Sequence, residues 1–197
     1  MKKQHVRSLV MDPNFYIRTY DNVLDDNLCK NILELCRDTD FERWERQGRP
    51  QFSQFNITEY AQDNLSSGWA KVHNRLIEAI KEVSERYMED TNCRDNWPYE
   101  NTLEQVRLKK YSVSKDDRFD LHADVGNHDS ARRFLALFFY LNDVDEGGET
   151  EFPDRDLKIK PERGKCLLFP PTWTYPHAGL VPVSNDKYIV GTYLHYI

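Results

Sequence analysis

The chain has 197 residues, which is long enough for one domain with a substantial core and short for two. Hydrophobic residues make up 39% of it and aromatic residues 13%, which is typical of a globular protein and excludes a disordered or fibrous one. The formal net charge of -6 argues against a protein that binds duplex DNA, because such a contact surface is normally basic.

The first half of the sequence predicts two helices. Asp25 and Asp26 are suited to cap the first helix, and apolar residues recur every three or four positions in both. These apolar positions are Leu28, Ile32, Leu35 and Cys36 in the first helix and Leu65, Trp69, Val72, Leu76, Ile80, Val83 and Tyr87 in the second. Both stripes predict surfaces that face the core rather than a cofactor.

Residues 41–60, between these helices, show no regular period and are rich in aromatic side chains, arginine and glutamine. A long segment of this kind inside a compact domain is often a functional lid. A strand-containing layer that packs without a role in binding explains the same composition. The sequence leaves both alternatives open.

The second half changes to short β-like runs separated by turns. The runs cover residues 105–113, 118–123, 132–142, 157–159, 165–169 and 187–196. Short, frequent strands with no helix between them indicate a sandwich or a jelly roll. We therefore predict a single α+β domain over residues 1–197. Helical support and a lid occupy about residues 1–100 in this prediction, and a jelly-roll catalytic core occupies about residues 103–197.

Two residues in this half can bind a metal ion together. His122 and Asp124 stand two positions apart on a predicted strand, so their side chains point to the same face. His177 can supply a third ligand. Two histidines and one carboxylate leave positions open on the metal, which suits Fe(II), O2 and a bidentate co-substrate. The His-x-Asp pair alone is a weak indication, because zinc, manganese or a surface His–Asp hydrogen bond explains it too.

The last predicted strand separates its side chains onto two different faces. One face carries Lys187, Ile189, Gly191, Tyr193 and His195, and the other is mostly apolar and is predicted to pack against the helices. The first face suits a cavity wall beside the metal better than a core. A buried ammonium group there needs an anionic partner, and the distal carboxylate of 2-oxoglutarate would be one.

Several motifs surround these residues in a fixed order. Tyr111 precedes His122-x-Asp124, and the sequences YLNDV and GGETEFP follow at residues 140–144 and 147–153. Gly164, His177 and Lys187 then complete the series. In this order the motifs closely resemble the prolyl 4-hydroxylases of the Fe(II)/2-oxoglutarate-dependent dioxygenase superfamily. The resemblance covers about residues 103–197, and less specifically residues 20–35.

The resemblance implies a double-stranded β-helix, or jelly roll, supported by N-terminal helices. It makes three residues both iron ligands and catalytic residues: His122, Asp124 and His177. It gives contacts with 2-oxoglutarate to Lys187, Tyr111, Thr150 and Tyr193, and contacts with the substrate to Arg133 and His195. Two of these have simpler explanations, since Thr150 could be a turn residue after Gly147-Gly148 and Arg133 a solvated strand residue.

The same resemblance implies a 2-oxoglutarate-dependent dioxygenase. It would hydroxylate prolyl residues in a peptide or protein and decarboxylate 2-oxoglutarate to succinate and CO2, with O2 as oxidant and ascorbate as a candidate reductant. One alternative is hydroxylation of a free amino acid such as proline. Demethylation of nucleic-acid bases is a second, although those enzymes usually bind 2-oxoglutarate with arginine. A non-catalytic jelly-roll binding protein is a third, but it should have lost a metal ligand or Lys187.

The location of the protein is predicted from two features. No apolar run near the N-terminus is long enough for a signal peptide or a membrane span. The four cysteines contain no CxxC pair and suggest no disulfide framework. We therefore expect a cytoplasmic protein of microbial or viral origin with no membrane partner.

Overall fold

Two antiparallel sheets and a layer of helices form the computed structural model, which describes residues 12–45 and 50–197. The helices are α1 (Asp26–Leu35), α2 (Ile57–Asp63) and α3 (Gly68–Asp90). In chain order the strands are β1 (Arg18–Tyr20), β2 (Glu42–Glu45), β3 (Gln51–Asn56), β4 (Asn101–Leu103), β5 (Arg107–Tyr111), β6 (Phe119–His122), β7 (Arg133–Tyr140), β8 (Thr150–Phe152), β9 (Leu157–Ile159), β10 (Cys166–Phe169), β11 (His177–Gly179) and β12 (Lys187–Tyr196).

The strands form a major sheet and a minor sheet. The major sheet has the order β1-β10-β7-β12-β5-β3-β2, with β4 also paired to β12, and the minor sheet has the order β6-β11-β8-β9. All the pairings are antiparallel. This arrangement is the α+β double-stranded β-helix that the sequence predicted, with α1 and α3 as its supporting helices.

The two long central strands divide the core into two parts. On β7, Leu135, Leu137 and Phe139 pack with α1 and α3 on the outer face of the major sheet. Their neighbours Phe138 and Tyr140 point the other way, into a second cluster between the two sheets. Both clusters exclude water from apolar side chains, which is the main force that holds such layers together. The helices therefore cover one face of the major sheet and leave the other face for the site.

The predicted helices are found, with one shift and one omission. Asp25 caps α1 as predicted, because its carboxylate accepts a hydrogen bond from the Leu28 backbone N–H at 2.7 Å. The second predicted helix begins later than expected, at Gly68 with Ser67 as its cap, and Leu65 lies before it with 83% of its surface exposed. The short helix α2, capped by Asn56, was not predicted.

Six strands lie where the sequence predicted them. β9 and β12 have the predicted bounds, and β5, β6, β7 and β10 lie within the predicted runs. The sequence missed β1, β4, β8 and β11, each of three residues, whereas β2 and β3 agree with the strand-containing alternative for residues 41–60. The expectation that about residues 1–100 are mainly helical was therefore incomplete, because β1, β2 and β3 extend the major sheet from this half.

The described residues of the segment 41–60 form strands β2 and β3 at the edge of the major sheet and the start of α2. β2 pairs with β3, and β3 pairs with β5. Residues 46–49 of the predicted lid lie outside the described residues, as do residues 1–11, on which the signal-peptide prediction depends. Among the helices that the structure describes, none has the length and apolar character needed to cross a membrane.

Gly164 offers a test of how the sheet is joined to the helices. Its φ of +77° lies in the left-handed region, and an added Cβ atom would lie 2.4 Å from the Leu24 carbonyl oxygen. That backbone precedes α1 and cannot move freely, because Val23 and Leu24 donate hydrogen bonds to the Gly164 carbonyl. We expect Gly164→Ala to lower the free energy of unfolding by about 3 kcal/mol.

Gly126→Ala is the matched control, because an added Cβ atom meets nothing within 4 Å there. Its effect should stay within about 0.5 kcal/mol. Urea denaturation of both variants measures the difference. Equal midpoints for the two variants would contradict the close contact between Gly164 and the segment before α1.

Candidate metal centre and inner pocket

The three predicted metal ligands lie together between the sheets. His122 ends β6 and pairs with His177 on β11, and Asp124 follows two residues after His122. One ligand atom from each residue lies within 4.8 Å of the others. Asp124 Oδ1 is 3.3 Å from His122 Nε2, and Asp124 Oδ2 is 3.5 Å from His177 Nε2. These distances are suitable for one ion bound by all three side chains.

The hydrogen bonds of both histidines orient them as ligands. His122 Nδ1 donates to the Asp120 carbonyl at 2.7 Å, and His177 Nδ1 donates to the Tyr175 carbonyl at 3.2 Å. Each Nε2 atom is then the one left with a lone pair for a metal. Among the described residues, His122 Nε2 and Asp124 Oδ2 are buried with no hydrogen-bond partner. Buried polar atoms are costly when unsatisfied, so this triad fits a metal ion.

The protonation states in this centre agree with ligand roles. Burial, partly opposed by Asp124, lowers the pKa of His177 to about 4, so its imidazole is neutral at neutral pH. Burial acts to raise the pKa of Asp124, but His177 and His122 hold it well below its usual range. A neutral imidazole and a carboxylate are the forms that bind metal ions.

Lys187 lies deeper in the same inner pocket. Only 1% of its surface is exposed, and its ammonium donates to the Gly148 carbonyl at 2.8 Å. The ammonium nitrogen also lies 4.3 Å from the centroid of the Tyr111 ring. No carboxylate of the described residues forms an ion pair with it, and burial lowers its pKa to about 7 although Glu149 acts in the opposite direction. The sequence predicted an ammonium in need of an anion, and the structure has this arrangement.

The other predicted co-substrate residues surround Lys187 and the triad. Tyr111, Thr150 and Lys187 line the inner pocket together with the metal ligands. Thr150 belongs to β8 and shares a hydrogen bond of 2.8 Å with the Tyr140 hydroxyl, so the turn-residue explanation is wrong. Tyr193 instead lines a larger outer cavity, in which its ring lies 4.0 Å from the Arg133 guanidinium.

Arg133 also lines the outer cavity, but it is not a solvated strand residue. Its guanidinium forms a two-point ion pair with Glu104, at 2.7 Å from Nε and 2.9 Å from Nη2. A third hydrogen bond of 3.1 Å joins Nη1 to the Asp124 carbonyl. Arg133 therefore supports the chain segment that carries a predicted metal ligand. Its predicted contact with the substrate remains a prediction.

The outer cavity has a volume of about 650 Å³. His122 and Asp124 line both this cavity and the inner pocket, whereas His177 lines the inner pocket. Strands β2 and β3 supply part of the cavity wall through Trp44 and Phe52, so the described part of the segment 41–60 faces the cavity. His195 is not among the described residues that line the cavity, and its role in substrate binding remains a prediction.

Lys109 is a cavity residue that the sequence did not identify. It lines both the outer cavity and the inner pocket. Residues 107–110 carry three basic side chains out of four, a composition typical of a solvated face. The signal that could have identified Lys109 is the alternation along its strand, because it shares a face with Tyr111, which was predicted to reach 2-oxoglutarate.

Comparison with known proteins identifies the type of domain. The sequence profile of the 2OG-Fe(II) oxygenase superfamily matches residues 106–195. The Arabidopsis thaliana protein named "Probable prolyl 4-hydroxylase 11" is 32% identical over 104 residues, which are 49% of this chain and 33% of that protein. The chain thus spans about one third of the length of that relative.

Solved structures agree in fold over most of the chain. The viral collagen prolyl hydroxylase of Paramecium Bursaria Chlorella virus-1, in complex with 2OG, has a TM-score of 0.69 at 21% identity and covers 92% of this chain and 97% of its own. A Trichoplax adhaerens prolyl hydroxylase bound to a hypoxia inducible factor peptide fragment has a TM-score of 0.69 at 17% identity, covering 94% and 87%. Residues 106–195 are thus similar to the 2OG-Fe(II) oxygenases, and most of the chain shares the fold of these prolyl hydroxylase structures.

The burial of Lys187 predicts a pH-dependent effect on stability. The ordinary pKa of a lysine is 10.5 and that of Lys187 in the folded protein is about 7, so between these values the unfolded chain holds the extra proton. Stability therefore rises with pH across this window. We expect Lys187→Met to be more stable than the wild type at pH 7. This advantage should shrink by about 2 kcal/mol on going to pH 9.

Lys110→Met is the control, because Lys110 is partly exposed and paired with Asp186 at 3.1 Å. The difference in unfolding free energy between Lys110→Met and the wild type should be the same at pH 7 and at pH 9. Urea denaturation without metal or co-substrate gives all the values. A constant difference between Lys187→Met and the wild type would show that Lys187 is not buried as an uncompensated cation.

Proposed function

We propose that this prolyl 4-hydroxylase-like chain is an Fe(II)- and 2-oxoglutarate-dependent dioxygenase that hydroxylates prolyl residues of a peptide or protein. Decarboxylation of 2-oxoglutarate to succinate and CO2 accompanies the hydroxylation. One observation carries the proposal: three buried ligand atoms share a pocket with a buried ammonium that lacks a carboxylate partner among the described residues. A metal ion and a co-substrate carboxylate would satisfy both groups.

The chain's own residues would hold the iron and leave room beside it. His122, Asp124 and His177 would bind the ion from one side, which leaves positions free for O2 and a bidentate 2-oxo acid. Iron with 2-oxoglutarate supplies the oxidative chemistry when bound, and ascorbate is a candidate reductant. The carbonyls of Asp120 and Tyr175 would keep both imidazoles in the ligating tautomer.

Lys187 would bind the distal carboxylate of 2-oxoglutarate. The inner pocket places its ammonium beside Gly179, where an added Cβ atom would lie 3.8 Å from the nitrogen. Tyr111 and Thr150 line the same pocket and would orient the co-substrate by their hydroxyl groups. Tyr193 lines the outer cavity, and its hydroxyl group lies close to the Asp124 carboxylate. It would contact 2-oxoglutarate from that side of the metal centre.

The outer cavity supports a peptide as the substrate. Its volume of about 650 Å³ exceeds the needs of a single free proline, and its wall carries the aromatic rings of Trp44, Phe52 and Phe119. Proline rings stack well on aromatic side chains, and proline-rich segments are extended before they bind. The Trichoplax prolyl hydroxylase of the same fold was solved with a peptide fragment. These features favour a prolyl peptide over a free amino acid or a nucleic-acid base.

Two wider proposals accompany the activity. The described helices pack on one face of the major sheet and the minor sheet packs on the other, which supports a single catalytic domain. All four cysteines are free, which supports a reducing, cytoplasmic setting.

Loss of a ligand should abolish the reaction. We expect His122→Ala and Asp124→Ala to lower 2-oxoglutarate turnover by about 10³-fold or more, because either change removes a metal ligand. The exposed Asp154→Ala is the matched control and should retain turnover. Succinate formation and a +16 Da product from proline-containing peptides are the measurements. Turnover retained in either ligand variant would refute the iron assignment.

Binding of 2-oxoglutarate should weaken at high pH. The ammonium form of Lys187 is the one that attracts a carboxylate, and its pKa in the free protein is about 7. The dissociation constant of 2-oxoglutarate should therefore rise above pH 7, by up to about tenfold per pH unit. Calorimetry at fixed ionic strength measures it.

2-Oxobutanoate is the control ligand, because it lacks the distal carboxylate. Its dissociation constant should not follow the protonation of Lys187. Identical pH profiles for the two 2-oxo acids would mean that Lys187 does not bind the distal carboxylate.

A further inference from the structure

Lys109 occupies the boundary between the inner pocket and the outer cavity. It lies in the middle of β5, opposite Ile189 on β12 and Gln54 on β3. It lines both spaces, as do His122 and Asp124. A group bound at Lys109 would therefore lie beside the metal centre and still face the cavity.

The space in front of Lys109 depends on a glycine. An added Cβ atom at Gly191 would lie 4.0 Å from the Lys109 ammonium nitrogen and 3.2 Å from the Phe138 ring. A side chain at position 191 would thus fill the volume that the ammonium faces. The ammonium also lies 5.1 Å from the Phe52 ring centroid and 5.6 Å from that of Phe138. Aromatic rings stabilise a cation only in part, and they do not neutralise it.

The other basic residues of the cavity have polar partners. Arg133 is paired with Glu104, and Arg107 donates to the Gln105 side-chain oxygen at 2.6 Å. For Lys109, no carboxylate of residues 12–45 or 50–197 lies within ion-pair distance. Burial lowers the pKa of Lys109 to about 8, and Asp124 is the nearby acid that acts against this shift. The ammonium form of Lys109 therefore still prevails at neutral pH.

A metal ion bound to Asp124 would remove the electrostatic support that this carboxylate gives to Lys109. Once Asp124 binds a cation, its charge no longer compensates Lys109. A carboxylate from outside the chain would then supply the counter-charge that favours the ammonium form of Lys109. Lys187 has the same need, but it lies deeper in the pocket and the proposed co-substrate carboxylate would satisfy it.

We propose that Lys109 is a specificity-determining residue that binds a carboxylate of the substrate, so that the chain prefers prolyl peptides with an acidic residue next to the target proline. This inference rests on the proposed function and deepens it. The position of Lys109 between the metal centre and the cavity places the carboxylate on a residue adjacent to the one that reacts. A charge-assisted contact in this setting corresponds to about a tenfold gain in affinity.

The test compares three peptides that differ only beside the proline, where they carry glutamate, glutamine or lysine. Binding is measured by calorimetry without O2, on protein loaded with Mn²⁺ and 2-oxoglutarate. The wild type should bind the glutamate peptide about tenfold more tightly than the glutamine peptide. In Lys109→Met this ratio should fall to about one, and in Lys109→Arg most of it should remain.

Lys110→Met is the matched control, because it removes the same charge from the neighbouring residue, which is paired with Asp186. It should retain the glutamate preference. Equal binding of the glutamate and glutamine peptides by the wild type would overturn the role of Lys109 and leave the proposed function standing if a +16 Da product forms. A weaker affinity for 2-oxoglutarate in Lys109→Met would also overturn it, since Lys109 would then serve the co-substrate. Failure of every peptide to bind would overturn this inference and the proposed prolyl substrate together.

Discussion

The alternation of side chains along β7 and β12 is the constraint on which both the core and the site depend. Consecutive residues of a strand point to opposite faces, so a strand covered by helices on one side has its other side available. Leu137 and Phe139 meet the helices, whereas Phe138 faces the minor sheet and the site. A slip of one residue in the register would exchange the two sets of side chains. On β12 such a slip would turn Lys187 towards the apolar helices. The burial of the apolar side chains therefore determines which face of the major sheet carries the site.

The two packed sheets hold several polar groups that lack a hydrogen-bond partner or a counter-charge among the described residues. His122 Nε2 and Asp124 Oδ2 are buried without hydrogen-bond partners among the described residues. Lys187 has a carbonyl and an aromatic ring around its ammonium but no carboxylate. Each of these arrangements costs folding stability, and a ligand that satisfies these groups would offset the cost. Such groups persist where the surrounding structure holds them in place, and the two packed sheets do so here.

The sequence predicts the parts of this fold that have a long, regular period. β12 and α3 extend over enough residues for alternation or a helical repeat to be clear, whereas β8 and β11 have three residues each and no readable period. The metal ligands could be predicted because they belong to an ordered series of motifs. Lys109 was missed, because a run of basic residues has the composition of an exposed surface and this outweighed the strand face that Lys109 shares with Tyr111. The pairing of β5 with β12 shows that Lys109 faces the cavity while Lys110 pairs with Asp186.

Arg133 shows why a residue type alone does not determine a role. Its partner Glu104 is distant in sequence, so no local pattern reveals the ion pair that holds the guanidinium. The Glu104 carbonyl in turn accepts a hydrogen bond of 2.9 Å from Thr192 on β12, which connects this pair to the central sheet. Three N–H groups of Arg133 bind Glu104 and the Asp124 carbonyl, and a guanidinium has five. The predicted contact with the substrate would use the other two donors, and the contacts that position Asp124 also hold the guanidinium. A substrate bound by Arg133 would therefore meet a preorganised group whose position is coupled to the metal centre.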